Sequence, residues 1–507
     1  MRRWLNTGLT SWMVMATFAT VVLLLVSADS YTHDYYDHYD SATFFASGKA
    51  WMSGLIPYVD FSDSKGPLLW LIYGAGYLLS PRTTLGVFWI TCLVYAFIFW
   101  WLYKTASIYL DDKRQAMFAA MATAISVFFP VVRYETRAED FALFFLVWAL
   151  YHVCRLLHHD GGDAPRQLFR ASVVLAVGMA ATLLIKYNVS AMLGVMALFV
   201  LYDAWRRHLG VWRHVGVMAL TSVLVLAPFA IYMLAVGCLD DFVREYFVVN
   251  MEVVARQHAR MGHPVNMLIA HRYTVGVYLL LNGLSALAIG LWVRRYRAFV
   301  VVAFLATVLL TVTNAFWLYY YAVCGIFVCF GVVALMRRLA CRPMRLWALL
   351  AGATAVVAVV LAMHLCHDES WFFRDNAERK ALYGYAYIMS QRTRPRIIYY
   401  NTCTSGFGIP VGSLPGCKYW TSQSGATQQM VDDQLQAIMR READFVFSLK
   451  DYDKPAMFDS LGYHRYTNHS NLTMLLYSRD SLAAPPPGWH VTDLDVLLKR
   501  PVKVLAD

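Results

Sequence analysis

Two ionisable residues in one short stretch have the types and spacing for proton transfer beside a phosphate. Tyr31 to Trp70 reads YTHDYYDHYDSATFFASGKAWMSGLIPYVDFSDSKGPLLW. Asp40 opens a run in which Phe44, Phe45, Gly48, Trp51, Met52 and Leu55 recur at helical spacing. Such a helix is expected to lie flat on a membrane, aromatic face down, with Asp40 at its N-terminal end. Gly54, Pro57 and Gly66-Pro67 then break the chain and leave Lys65 just before an apolar segment, at headgroup depth. A cation there stabilises charge developing on a departing phosphate. A carboxylate across from it can take the proton of an attacking hydroxyl. Plainer roles fit the same residues: Asp40 as a helix cap and Lys65 as an interfacial anchor. Asp34, Asp37, Asp60 and Asp63 compete as the acid. Tyr31, Tyr35, Tyr36 and Tyr39 suit an interfacial aromatic belt better than a sugar platform.

Three other stretches carry candidate groups. Arg133-Tyr134-Glu135-Thr136-Arg137-Ala138-Glu139-Asp140 concentrates charge between apolar runs, and an Arg137–Glu139 surface pair is its plain reading. Residues 238–272 hold Arg244, Glu245, Arg256, His258, Arg260, His263, His271 and Arg272. Spacing places Arg256 and Arg260 on one helical face, suited to a phosphate headgroup or simply to anionic lipid. Lys186 lies between two apolar runs, where a cation is a functional candidate unless it merely sits at an outer end.

The elements that must position these groups are membrane helices. The chain has 507 residues, 59% hydrophobic and only 15% charged, against roughly 25% charged in soluble domains. That excludes a soluble enzyme, a disordered chain, a disulfide scaffold and a nucleic-acid binder. A spanning helix needs about 20 mostly apolar residues. Uncharged runs occupy 9–28, 84–103, 115–132, 215–239, 273–293 and 346–363, and 298–336 is long enough for two crossings. The shorter runs 141–154, 171–185 and 187–202 work if Arg155, Arg170 and Lys186 snorkel. Eleven spans are expected.

Residues 66–80 are apolar but short, and loop charge decides their status. If they do not cross, one set of alternate loops holds 18 Lys/Arg in 60 residues, against 10 in the longer opposite set. Basic residues favour the cytoplasm. Residues 66–80 are therefore read as a re-entrant or juxtamembrane helix. The N-terminus is expected in the cytoplasm, the first run as an uncleaved signal anchor, and residues 29–83, 133–140, 238–272 and the tail outside. The net charge of +11 is almost all in the membrane part, because the tail 364–507 holds 16 basic and 15 acidic residues.

Two domains follow: a transmembrane domain over 1–363, with 29–83 as its first outer loop, and an α/β domain over 364–507. In the tail, 396–402, 444–449 and 472–478 read as strands and 431–443 as a helix, with Pro485–Pro487 ending the ordered part. Cys403 and Cys417 are candidates for a disulfide in an oxidising space; the other cysteines lie beside or within apolar runs, except Cys366. No CxxC or Cys/His spacing suggests zinc. Paired acids in the outer loops leave room for a divalent metal, and no cofactor is otherwise indicated. Phosphate-binding glycine loops, HExxH and GxSxG motifs are missing from the predicted loops.

The run Asp40…Gly54-x-x-Pro57-Tyr58-x-Asp60…Lys65-Gly66-Pro67-Leu68 resembles the first loop of bacterial polyprenyl-phosphate-sugar glycosyltransferases. These GT-C membrane enzymes include protein O-mannosyltransferases and the aminoarabinose transferase of lipid A. Their motifs are an early Asp, a Gly-x-x-Pro-Tyr-like turn and Lys-Pro-Pro-Leu; here Gly66 replaces the first Pro. The resemblance covers mainly residues 30–160. It implies a GT-C-like all-α membrane fold with a C-terminal soluble α/β domain. It further implies Asp40 as base, Lys65 on the lipid phosphate, and a second acidic residue in the second outer loop, Glu139 or next Asp140. Arg137, Arg256 and Arg260 would assist with the phosphate. Tyr319, Tyr320 and Tyr321 read as belt residues, but similar enzymes carry tyrosines there facing the lipid phosphate, which makes Tyr320 a donor-site candidate.

The expected activity is inverting transfer of a sugar from a polyprenyl-phosphate donor to a hydroxyl of a glycan, lipid or protein acceptor. The expected location is the outer face of a bacterial inner membrane, in contact with membrane lipid and with no nucleic acid. The rival readings are a transporter or flippase of lipid-linked saccharides and an O-antigen-type ligase or polymerase.

Overall fold

The computed structural model describes residues 8–31, 39–128, 135–158, 163–292 (except 263 and 274), 297–312, 317–339, 376–486 (except 405, 407, 423–425, 450–452 and 467–473) and 489. The membrane part contains α1 (Gly8–Val26), α2 (Asp40–Met52), α3 (Pro67–Leu79), α4 (Leu85–Ala106), α5 (Lys113–Phe128), α6 (Ala138–His158), α7 (Ala164–Leu183), α8 (Tyr187–Arg206) and α9 (Val211–Ala235). Then come α10 (Leu239–Val243), a π-helical turn (Arg244–Val249), α11 (Asn250–Met261), α12 (Pro264–Ala270), α13 (Val275–Trp292) and α14 (Arg297–Val312). A 3-10 segment (Leu318–Phe327) runs into α15 (Val328–Leu339).

Ten of the eleven expected apolar runs fall on α1, α4 to α9, α13, α14 and the segment ending in α15; the run 346–363 lies outside the described residues. Six helices among the described residues are long and apolar enough to cross a membrane: α1, α4, α6, α8, α9 and Tyr319–Arg338. The chain is thus a multi-pass membrane protein by its helices, although eleven crossings are more than those six. Leu220, Val223, Leu224, Ile231 and Leu234 on α9 are exposed, an apolar surface that only lipid can solvate.

Helix α3 has 13 residues, about 20 Å at 1.5 Å per residue, too short for a hydrocarbon core of roughly 30 Å. Extended Gly66 precedes it and Pro67 fills its first turn, where the missing N–H would be unsatisfied anyway. Helix α2 departs from the expected flat membrane helix. It is packed on both sides, with Ser41 to Phe45 and Ser47 to Ala50 buried. Gly48 lies so close to α3 that an added Cβ would meet the Gly74 nitrogen at 2.5 Å. Phe44 packs edge-on against Tyr73 and Phe45 against Tyr77. The small residues Ser47, Gly48 and Ala50 let backbones approach, and that close packing replaces the bilayer as the partner of the aromatic face.

The C-terminal domain has α16 (Asn376–Ser390), β1 (Arg396–Tyr400), α17 (Gly408–Val411), β2 (Leu414–Pro415), α18 (Gln428–Met439), β3 (Phe445–Leu449), α19 (Pro455–Ser460), β4 (His464–Tyr466) and β5 (Met474–Ser478). The sheet order is β2-β1-β3-β5-β4, with β1 parallel to β2 and β3 and β5 antiparallel to β3 and β4. Strand alternation divides β1. Ile397 and Tyr399 share a buried cluster with Phe44, Trp70 and Tyr73, whereas Ile398 and Tyr400 pack on Ile438, Phe458 and Tyr477. One face of the sheet is therefore part of the same core as α2 and α3. The boundary near residue 364 and residues 490–507 lie outside the described residues. Cys403 and Cys417, the candidates for a disulfide, are both free thiols, Cys403 exposed.

Candidate functional site

Asp40 occupies the first position of α2, and a different loop caps that helix. The Glu135 carboxylate accepts the N–H of Tyr39 at 2.9 Å and of Ser41 at 3.0 Å. Asp29, at the end of α1 and fully buried, accepts the Ser41 hydroxyl at 2.9 Å and the Thr136 N–H at 2.9 Å. Orphan amides of a helix start attract carboxylates, and here they bind the start of α2 to residues 135–136. The Asp40 carboxylate accepts the Tyr319 hydroxyl at 3.1 Å.

Cations gather around this carboxylate. Arg137 pairs with Glu135 at 3.6 Å and lies 3.9 Å over the Tyr319 ring. Lys186 pairs closely with Glu139 and lies 3.8 Å over the Tyr320 ring. Tyr319 and Tyr320 are edge to face at 4.7 Å. Burial, the largest single influence, would lower the Lys186 ammonium, but Glu139, Tyr320 and Asp40 together outweigh it and hold it raised. The Arg137–Glu139 pair of the plainer reading is replaced by two others. On the extended 135–137 segment leading into α6, Arg137 meets Glu135 while Glu139, a residue into the helix, faces Lys186.

Lys65 donates to the Ser64 hydroxyl at 2.8 Å and lies 5.4 Å over the ring of Phe44, one turn along α2 from Asp40. Asp63 feels both: burial raises its carboxyl, Lys65 opposes that, and Asp40 adds to it. Lys65, Lys186, Asn188, Gln257 and Tyr320 line one cleft. The backbone accounts for the meeting of the two lysines, since Gly66 N–H donates to Ile185 O at 3.0 Å. A Cβ on Gly66 would stand 2.1 Å from the Leu184 carbonyl oxygen. The departure from the Lys-Pro-Pro-Leu motif thus has a local reason, because a proline would lose the N–H and collide with the 184–186 turn.

The other expected residues lie as follows. Asp140 is buried; it accepts the Tyr95 hydroxyl at 2.6 Å and the Arg137 N–H at 2.7 Å, an anchor for the second loop. Arg256 is exposed, and Asn250, Val253, Val254 and Gln257 of α11 face the cleft instead. The side chain of Arg260 lies outside the described residues. Sequence reasoning passed over Glu135, and it raised Lys186 and Tyr319 only as candidates, without a place in the site. The usable signal was Lys186, a cation isolated between apolar runs; nothing in the sequence marks Glu135 over Glu139. Among the described residues no group of three or more His, Cys, Asp or Glu could hold a metal.

The fold recurs in a known protein. ArnT from Cupriavidus metallidurans bound to undecaprenyl phosphate aligns over 93% of this chain and 98% of its own, at 14% identity and a TM-score of 0.57. The chain has the GT-C fold. Residues 64–232 of this GT-C chain match the family model for dolichyl-phosphate-mannose-protein mannosyltransferase. The archaeal oligosaccharyltransferase AglB from Archaeoglobus fulgidus, in complex with an inhibitory peptide and a dolichol-phosphate, aligns over 93% of the GT-C chain and 74% of its own, at 11% identity and a TM-score of 0.48. No curated protein matches it. The resemblance read from the first loop is met by both the family model and the fold of the GT-C chain.

Proposed function

We propose that this protein is a membrane glycosyltransferase that moves a sugar from a polyprenyl-phosphate-linked donor to an acceptor hydroxyl. Asp40 takes the hydroxyl proton as the oxygen attacks the anomeric carbon, the carbon–phosphate oxygen bond breaks, and the configuration inverts. Polyprenyl phosphate leaves with its charge held by Lys65 and Lys186, with Arg137 behind Tyr319. Glu139 and Asp140 act as positioning residues, Glu139 through Lys186 and Asp140 through the second loop. The observation that carries this reading is the meeting of one carboxylate and three cations from separate outer segments around Tyr319 and Tyr320. The family match over 64–232 supports the reaction class. The loop charges favour an N-terminus in the cytoplasm with the site and C-terminal domain outside, and the resemblance to bacterial enzymes favours an inner membrane.

Asp40→Asn tests it. Transfer from an undecaprenyl-phosphate-linked sugar is expected to fall by at least about hundredfold, with donor binding retained. Wild-type turnover in that variant would refute the assignment.

A further inference from the structure

Two clefts meet above α2 and α3. The first is the cationic one, with Lys65, Lys186 and Tyr320. The second is lined by Ser62, Glu245, Tyr419, Thr421 and Met430. Ser64, Asn250 and Val253 line both, so the two clefts adjoin across a shared wall in which the Asn250 amide donates to Ser64 O at 2.9 Å.

Their chemistry differs. The first offers positive charge. The second offers hydroxyls, an amide and two carboxylates, Asp63 and Glu245, beside the apolar Met430 and Val249. The Glu245 side chain is 1% exposed, with its charge met by Lys418 at 3.0 Å. It accepts the Tyr419 hydroxyl at 2.8 Å and the Ser62 hydroxyl at 3.3 Å. The π-helical turn places Glu245 there, a local irregularity that often marks a functional position. Convergent polar groups beside apolar surface match a sugar ring, which has hydroxyls at its rim and C–H faces.

Tyr419 and Thr421 belong to the C-terminal domain. Thr421 accepts from the Thr404 hydroxyl at 2.9 Å, and Thr404 meets Thr43, in the first turn after Asp40, at 2.6 Å. A line of hydroxyls thus runs from the helix of Asp40 to the roof of the second cleft.

We infer that the second cleft is a sugar-ring subsite roofed by the C-terminal domain, with Tyr419 and Thr421 determining which ring is accepted. The inference rests on the donor reading above for the phosphate end. The ring is that of the donor, joined to a phosphate at Lys65, or that of a glycan acceptor.

The test uses the full-length protein and two variants, Thr421→Val and the cleft-filling Met430→Trp. The probes are undecaprenyl phosphate, undecaprenyl-phosphate-linked hexoses and a soluble oligosaccharide acceptor. With a donor ring, both variants lose about tenfold in affinity for the sugar-linked lipid and bind bare undecaprenyl phosphate as wild type does. With an acceptor ring, lipid affinities hold and the acceptor KM rises about tenfold. Thr421→Ser restores either value, and it carries the comparison with Thr421→Val should Met430→Trp not fold. Unchanged lipid affinities together with an unchanged acceptor KM would overturn the subsite while leaving the donor reading intact. Failure of the wild type to bind either lipid would overturn the donor reading and the subsite with it.

Discussion

The carboxylate of Glu135 accepts the backbone N–H of Ser41 at 3.0 Å, and its bond to the Tyr39 N–H at 2.9 Å grips the amide on the other side of Asp40. The proposed base is therefore oriented by main-chain contacts to a second loop. Tyr39 itself supplies no side-chain cap, so the start of α2 depends on residue 135.

Glu135→Ala is expected to fray the first turn of α2. Loss of a helix cap costs about 1 kcal/mol. The acceptor KM should hold while kcat falls about tenfold or more, because a base out of register loses rate rather than affinity. Glu135→Gln, which keeps one acceptor oxygen, should retain more activity. Transfer kinetics with hydrogen exchange over 39–45 checks both, and wild-type kcat in the alanine variant would remove Glu135 from this role.

Lys186 and Glu139 form a pair whose side chains are 13% and 10% exposed. Removing one partner leaves a buried charge uncompensated, at a cost of roughly 3–5 kcal/mol. Glu139→Leu is thus expected to destabilise the protein strongly, and Glu139→Leu with Lys186→Met to recover most of the loss while still binding lipid phosphate poorly. Thermal unfolding and undecaprenyl phosphate titration separate the two effects. A double variant no more stable than Glu139→Leu alone would contradict the pairing.

Lys49 gives a pH dependence. It is 4% exposed and donates to Ser413 O of the C-terminal domain at 3.0 Å. Burial, followed by Arg394 and Arg82, lowers its ammonium from 10.5 to about 7. Between about 7 and 10.5 the folded state has lost a proton that the unfolded state keeps, so stability rises with pH across that window and is lowest below it. Protection of residues 408–416 from hydrogen exchange should increase from pH 7 to pH 9, and Lys49→Met should abolish the trend. A flat profile in the wild type would sink this expectation.

Gly66→Ala places a methyl group 2.1 Å from the Leu184 carbonyl oxygen. The segment before α3 or the 184–186 turn must then shift, which separates Lys65 from Lys186. Donor affinity is expected to drop by about tenfold or more, with a fall in Tm. Unaltered donor affinity would show that the two lysines need not be adjacent.

How much of this could be read in the sequence varies by element. Apolar runs register on the helices because lipid solvation demands long uncharged stretches, which are visible in one dimension. Asp40, Lys65 and Tyr320 were legible because they sit beside local markers: a helix start, a Gly-Pro break and the outer end of a run. The β1, β3 and β5 strands and the helix over 428–439 were legible from periodicity, whereas β2 has two residues and β4 three, too short to carry a pattern. The packing of α2 was misread because its aromatic face suits a bilayer and a protein interior equally; only Gly48 against Gly74 distinguishes them. Glu135, Lys186 and Tyr419 enter through contacts across 47 to 174 positions of chain, as Lys186 to Glu139, Ser41 to Glu135 and Glu245 to Tyr419 illustrate. No local spacing encodes such meetings.

Asp29 bears on how the protein is made. One carboxylate at the end of the first helix joins Ser41 to Thr136, so the ribosome must deliver more than a hundred further residues before that knot can be tied. Nascent chains inserted up to α4 carry the acid and the first lysine but not the geometry that arms them. The proposed transfer would consequently begin only after synthesis has passed Thr136.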